Sequence, residues 1–259
     1  MKFSPRRSLL AGGTAAVLLL SACGGDDEPV AEPADTEAPT EAGSDTTTGS
    51  TDAGSTDTTT GGATSVEGGP EATVPADVPE EYIGAIGPVD VIGDPRPYLE
   101  TDVIADDAAV GEPAPVIVGL DFDGNPVRID AATDGPTMVV FVAHWCPHCN
   151  AEIPVLNELR DDGLIPDGLN VVAVSTAPRA DSTNFPPGEW LVDMDWQWPA
   201  IADGVDIDTG TFLAAEAYGV SGFPFITLVD GDGNVAARWS GERDADEYTE
   251  AFSTHLGLG

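Results

Sequence analysis

The chain has 259 residues, with 46 acidic against nine basic side chains and a formal net charge of −37. That balance excludes nucleic-acid binding, because there is too little positive charge to neutralise phosphates. Three cysteines exclude a disulfide-dense scaffold.

In chain order, residues 1–22 read as a signal peptide. Lys2, Arg6 and Arg7 form a basic start, and the apolar run Leu9 to Leu20 is too short to favour a membrane span. Ser4-Pro5-Arg6-Arg7 also fits twin-arginine export, although a plain basic start accounts for the pair equally. Leu20-Ser21-Ala22-Cys23 resembles a bacterial lipobox. That resemblance implies a diacylglyceryl group on Cys23 and an extracytoplasmic protein anchored to the cell membrane. Residues 23–81 form an acidic Thr/Gly/Ser/Pro linker; from Gly24 to Glu81 there are 15 acids and no Lys or Arg. Such a segment buries too little to offset its ordering entropy, so it is expected to be disordered. As a flexible tether it would span about 40 Å root-mean-square.

Tyr82 to Gly259 holds 178 residues, enough for one domain with a real core. Residues 82–110 alternate apolar side chains with Gly-Pro breaks and read as an extended arm packed on the domain. Val116–Leu120 and Pro126–Ile129 predict a hairpin around Asp123-Gly124-Asn125. Thr137–Ala143 is a continuous apolar run, the mark of a buried strand. Helical spacing of Ile153, Leu156 and Leu159 predicts a helix from Pro147 to Asp162, kinked at Pro154. Leu169–Ser175 is the next strand, parallel to the first. Pro178–Ile201, with Trp190, Trp196 and Trp198, reads as a loop-rich insert, either a groove wall or a cap on the core. Thr211–Tyr218 is a helix. Phe225–Val229 and Val235–Trp239 are antiparallel strands, and Asp244–Leu256 is an amphipathic helix. The turn Asp230-Gly231-Asp232-Gly233-Asn234 superficially resembles a calcium loop but lacks the downstream bidentate Glu.

Chemistry concentrates in His144-Trp145-Cys146-Pro147-His148-Cys149, where a strand turns into a helix. Cys146 falls at the N-cap and Pro147 at the first helical position, where a missing N–H costs nothing. Unpaired N–H groups and the helix dipole favour a thiolate there. Cys149 lies one turn on, within disulfide reach. A structural disulfide is the alternative, but a stabilising staple closes a longer loop. Zinc is disfavoured, because two His and two Cys within six residues cannot converge tetrahedrally without unwinding the turn. No metal is expected. His148 reads as a thiolate stabiliser; His144 takes no assigned role.

Trp-Cys-Pro-His-Cys after a strand resembles the active site of the thioredoxin superfamily. Its Pro-His dipeptide is similar to that of DsbA-type oxidants. The surroundings resemble the extracytoplasmic TlpA/ResA-like branch instead: Gly111-Glu112-Pro113-Ala114-Pro115, then Glu152 and Pro154 after the motif, then Gly219-Val220-Ser221-Gly222-Phe223-Pro224. The likeness covers roughly residues 111–256. It implies an α/β, thioredoxin-like fold over residues 111–259: a central mixed sheet flanked by helices, with an added N-terminal β-hairpin.

The resemblance also implies roles. Cys146 is the nucleophile and Cys149 the resolving thiol. Pro224 is a cis-proline facing Cys146, and the Phe223 backbone pairs with substrate as an added strand. Phe223 departs from the small or β-branched residue expected before that proline. Trp145 shields the disulfide. Glu152 tunes the resolving thiol or accepts its proton. The expected function is membrane-anchored thiol–disulfide exchange with protein thiols and disulfides. It needs no cofactor beyond the Cys146–Cys149 pair, works with a membrane or extracytoplasmic redox partner, and is expected of a monomer. Two other classes compete. A peroxidase needs a Thr three residues before the reactive Cys, where Ala143 stands. A non-enzymatic copper or haem-apoprotein binding module of this fold is disfavoured by the two-residue cysteine spacing.

Overall fold

A computed structural model describes residues 78–259. The expected signal peptide, Cys23 with its expected lipidation, and nearly all of the linker lie outside the described residues.

After a short 3-10 turn at Glu80–Tyr82, strand β1 (Val89–Ile92) pairs antiparallel with β2 (Val116–Leu120), which pairs with β3 (Pro126–Ile129). The expected hairpin is therefore a three-stranded sheet, because the arm supplies its edge strand. Gly-Pro breaks on either side of Val89-Asp90-Val91-Ile92 disguise that strand in the sequence. The rest of the arm is tied down by main-chain bonds, Arg96 N–H to Ala217 O at 2.8 Å and Leu99 N–H to Gly219 O at 3.2 Å. Gly219 sits in the left-handed region, and a side chain there would collide with the Pro97 carbonyl.

A one-turn helix α1 (Ala131–Asp134) leads to β4 (Thr137–Val142), helix α2 (Pro147–Asp161) and β5 (Asn170–Ser175). Helix α2 continues through Pro154. The Trp-rich insert is more regular than its sequence suggests: it holds α3 (Pro187–Asp193) and a further parallel strand, β6 (Ala200–Ala202). Three residues, Ala200-Ile201-Ala202, are too few for alternation to announce a strand. A two-stranded ribbon, β7 (Val205–Asp206) with β8 (Thr211–Phe212), precedes α4 (Leu213–Tyr218). Then come β9 (Phe225–Val229), β10 (Val235–Ser240), α5 (Ala245–Ala251) and a π-helical turn, Phe252–Leu256.

The main sheet runs β10-β9-β4-β5-β6, with β4, β5 and β6 parallel and β9 and β10 antiparallel. Every residue of β4 is buried, because alternate side chains feed two cores. Met138, Val140 and Val142 pack with Ile153, Leu156 and Leu159 of α2 and with Tyr248 and Phe252. Val139 and Phe141 pack on the other face with Ile117, Ala214, Ala217 and Tyr218. This is the expected mixed sheet between helices. It fixes the C-terminal end of β4, where the cysteines begin.

Candidate active site

Cys146 is the N-cap of α2, with extended backbone (φ −80°, ψ 120°), and Pro147 opens the helix. Its amide bonds the Ala143 carbonyl at 2.9 Å, which closes the turn between strand and helix. The fifteen-residue helix thus begins at the sulfur. Cys146 Sγ lies 3.5 Å from the Phe223 carbonyl. The Phe223–Pro224 peptide is cis.

Cys149 is fully buried, and its Sγ accepts from the Ala143 amide at 3.5 Å. Burial pushes its thiol far above the ordinary range; Cys146 and the Glu152 carboxylate add to this, while the Ala143 amide opposes it. The two sulfurs therefore occupy unlike surroundings, one at a helix start and one sealed below it.

Glu152 is wholly buried one turn beyond Cys149. Tyr248 Oη donates to Glu152 Oε1, and the Arg243 amide donates to Oε2 at 3.1 Å. Burial raises its carboxyl to about 7; Glu242 adds to the rise, and the Tyr248 and Arg243 bonds restrain it. A capping box between Asp244 and Glu247 starts α5 and so holds the loop carrying Glu242 and Arg243 against α2.

His148 is exposed, and its Nδ1 meets Glu242 Oε1 at 2.5 Å. His144 is buried. Its Nδ1 bonds the Thr183 carbonyl at 2.7 Å and its Nε2 accepts the Arg179 amide at 2.9 Å. Those partners define a neutral ring protonated at Nδ1, and burial lowers its basicity further. Asn150 donates to the Cys146 carbonyl at 2.8 Å and accepts from Trp190 Nε1 at 3.0 Å. Trp145 is half-buried, donates from Nε1 to the Ala177 carbonyl at 2.7 Å, and meets the Phe223 ring edge-on at 6.0 Å. The insert is thereby fastened to the cysteine turn at several points.

Residues 110–250 match the AhpC/TSA family. The chain belongs to the AhpC/TSA family. Within it, the chain is 27% identical over 141 residues to the thiol-disulfide oxidoreductase ResA of Bacillus thuringiensis subsp. konkukian, across 54% of this chain and 75% of the relative. It is 28% identical over 146 residues to the thiol:disulfide interchange protein DsbE of Escherichia coli K12, across 55% and 71%. Among solved structures, the thioredoxin domain of a thiol-disulfide oxidoreductase from Bacteroides vulgatus aligns with a TM-score of 0.43 at 25% identity, over 56% of this chain and 99% of that one. This member of the AhpC/TSA family is a thioredoxin-like thiol–disulfide oxidoreductase.

Three residues at the site carry no local sequence signal, Glu242, Arg179 and Asn150; Tyr248 is hinted at only as an apolar-face residue of the last helix. Asp203 was also missed. It is fully buried after β6, accepts Thr176 Oγ1 at 2.7 Å and the Ala214 amide at 2.8 Å, and burial raises it to about 6. It caps α4 and joins it to the end of β5.

Proposed function

We propose that this chain exchanges disulfides with protein clients from a membrane tether outside the cytoplasm, with Cys146 as nucleophile and Cys149 as resolving thiol. The observation that carries this reading is the asymmetry of the pair. Cys146, 5% exposed, stands at a helix start against the Phe223 carbonyl, while Cys149 is fully buried one turn before a carboxyl raised to about 7.

In the reducing direction, the Cys146 thiolate attacks a client disulfide. An S–S bond forms between Cys146 and one client sulfur, and the other client sulfur leaves as a thiolate that takes a proton. Cys149 then passes its proton to ionised Glu152 and attacks Cys146 Sγ. The mixed disulfide breaks, the client leaves as a dithiol carrying the two electrons, and the enzyme is left with one Cys146–Cys149 disulfide. A dithiol partner reverses these steps to recharge the enzyme; a client dithiol does so in the oxidising direction. The Phe223 main chain, beside the cis-proline, lies where an extended client segment can add as a strand. Arrest at the mixed disulfide is the test. Cys149→Ser is expected to accumulate a covalent adduct with a cystine-containing peptide, and Cys146→Ser to form none. Adducts on Cys149 in the second variant would reverse the assigned roles.

The tether rests on Leu20-Ser21-Ala22-Cys23 and the acidic linker. Expression of the full chain in a bacterium with labelled fatty acid is expected to label the wild type and not Cys23→Ala. Equal labelling of the two excludes the anchor.

A further inference from the structure

The described residues contain six arginines in a chain with 46 acids. Four of them face carboxylates: Arg96 with Glu112, Arg128 with Asp130, Arg160 with Asp161 and Asp195, and Arg238 with Asp107. The other two stack on tryptophans instead. Arg243 lies over Trp239 at 4.5 Å, and its charge and main chain already serve Glu152. Arg179 lies over Trp145 at 3.6 Å and is exposed, with no carboxylate within 4 Å among the described residues. In so acidic a molecule, an arginine left without a carboxylate is the exception.

Its position is fixed from both sides. The Arg179 amide is held by buried His144, and two residues earlier the Ala177 carbonyl is held by Trp145 Nε1. Ala177 itself has φ +50°, a conformation a non-glycine residue keeps only where its surroundings impose it. The guanidinium is stacked on Trp145, which adjoins Cys146 in sequence and packs its ring against Phe223. Stacking holds the plane of the guanidinium while leaving its N–H fork free for a planar acceptor.

We propose that Arg179, held on Trp145, is a carboxylate-binding subsite beside Cys146 that selects client segments carrying an acidic residue next to the reactive cysteine. This rests on the disulfide-exchange reading and names a substrate feature for it. The net charge of −37 repels acidic partners at a distance, so the subsite selects on where a carboxylate lies, not on the client's total charge.

The test uses the full chain, reduced and freed of reductant, with two cystine peptides that differ only in Glu or Gln beside the cysteine. At low salt, the wild type is expected to react about two- to five-fold faster with the Glu peptide in the second-order rate constant of a single turnover, the range of an exposed charge pair. The preference should appear mainly in the half-saturating peptide concentration, fall at high salt, vanish in Arg179→Gln and persist in part in Arg179→Lys. Equal rates for both peptides in the wild type overturn the subsite and leave disulfide exchange standing. No reaction with either peptide overturns both. A preference that survives in Arg179→Gln assigns the carboxylate to some other group and removes Arg179 from it.

Discussion

His148 places its Nδ1 2.5 Å from Glu242 Oε1, so the histidine of the cysteine motif is paired with a carboxylate from the loop after β10. A Pro-His dipeptide read alone implies a cation that favours the thiolate, hence a more oxidising couple. Here the Glu242 carboxylate brings a negative charge close to the cysteine turn, which works against a thiolate. Glu242→Gln removes that charge. The reduced form gains, so the reduction potential is expected to rise by about 10–20 mV, the equivalent of an exposed pair. Equilibration against glutathione measures it; an unchanged or more negative value rejects the idea.

Glu152 supplies a pH signature. With its carboxyl at about 7, it is ionised, and able to take the Cys149 proton, only above that pH. The resolving step, followed in single turnover, is expected to accelerate as pH rises through about 7. Glu152→Gln should lose that step and slow resolution about 100-fold at neutral pH, the ordinary range for a general base. Tyr248→Phe removes a bond that restrains the carboxyl, so the step should move to higher pH. Movement to lower pH would contradict the assignment.

Stability carries the same group with a definite sign. The folded carboxyl at about 7 lies above its ordinary 4.5, so the folded chain holds that proton more tightly than the unfolded chain does. The contribution is complete below about 4.5 and is lost as pH rises through about 7. Urea titrations of wild type and Glu152→Gln at pH 4.5 and 7.5 should therefore show the wild type losing ground to the variant at the higher pH. A gap that is constant or widens in the wild type's favour is the contrary outcome.

What the sequence disclosed was local. The apolar run Thr137–Val142, the helix start at Cys146 and Pro147, and the two strands after Pro224 all follow from patterns within a few residues. The fold class was therefore legible, and so were both cysteines' positions on it. What escaped notice joins distant segments. Tyr248 reaches Glu152 across 96 residues, Glu242 reaches His148 across 94, and Arg179 reaches His144 across 35. No periodicity reports such contacts. Strand β6 was missed because Ala200-Ile201-Ala202 is too short to alternate, and β1 because its partner lies beyond a long loop.

Arg238 and Asp107 form a buried pair, Nη2 to Oδ1 at 2.5 Å, and Arg238 also donates to the Pro97 and Tyr218 carbonyls. This joins the arm to β10. Burial raises the Asp107 carboxyl, but the Arg238 bonds and the Ala109 amide outweigh it and leave it below 3.8. Its contribution is present above that value and lost as pH falls through the depressed one. Asp107→Ala strands a buried guanidinium and is expected to cost about 3–5 kcal/mol by urea unfolding. Asp107→Leu with Arg238→Met should recover much of that. A loss below about 1 kcal/mol in the single variant would place the pair among exposed ones.

His144 makes the insert's attachment pH-sensitive. Its ring must be neutral to accept the Arg179 amide at Nε2 while Nδ1–H serves the Thr183 carbonyl. Burial lowers its basicity below the ordinary 6.5, and the charge of Arg179 acts the same way, against the Thr183 bond. The folded ring therefore binds a proton less readily than the unfolded one. The stability it contributes is present above 6.5 and lost as pH falls through its depressed value. The facing groups are Thr183, Arg179, Asn184 on the histidine's own carbonyl, and the Phe185 ring, none of them a carboxylate that would rescue the cation. Hydrogen exchange at residues 177–184, corrected for intrinsic pH effects, should lose protection on acidification while the β4 amides keep theirs. His144→Ala should show the unprotected behaviour at every pH and cost about 1–3 kcal/mol, because it removes two part-buried hydrogen bonds of about 0.5–1.5 kcal/mol each. Protection in residues 177–184 that ignores both pH and the substitution would mean that Trp145 and Asn150 hold the insert without the histidine.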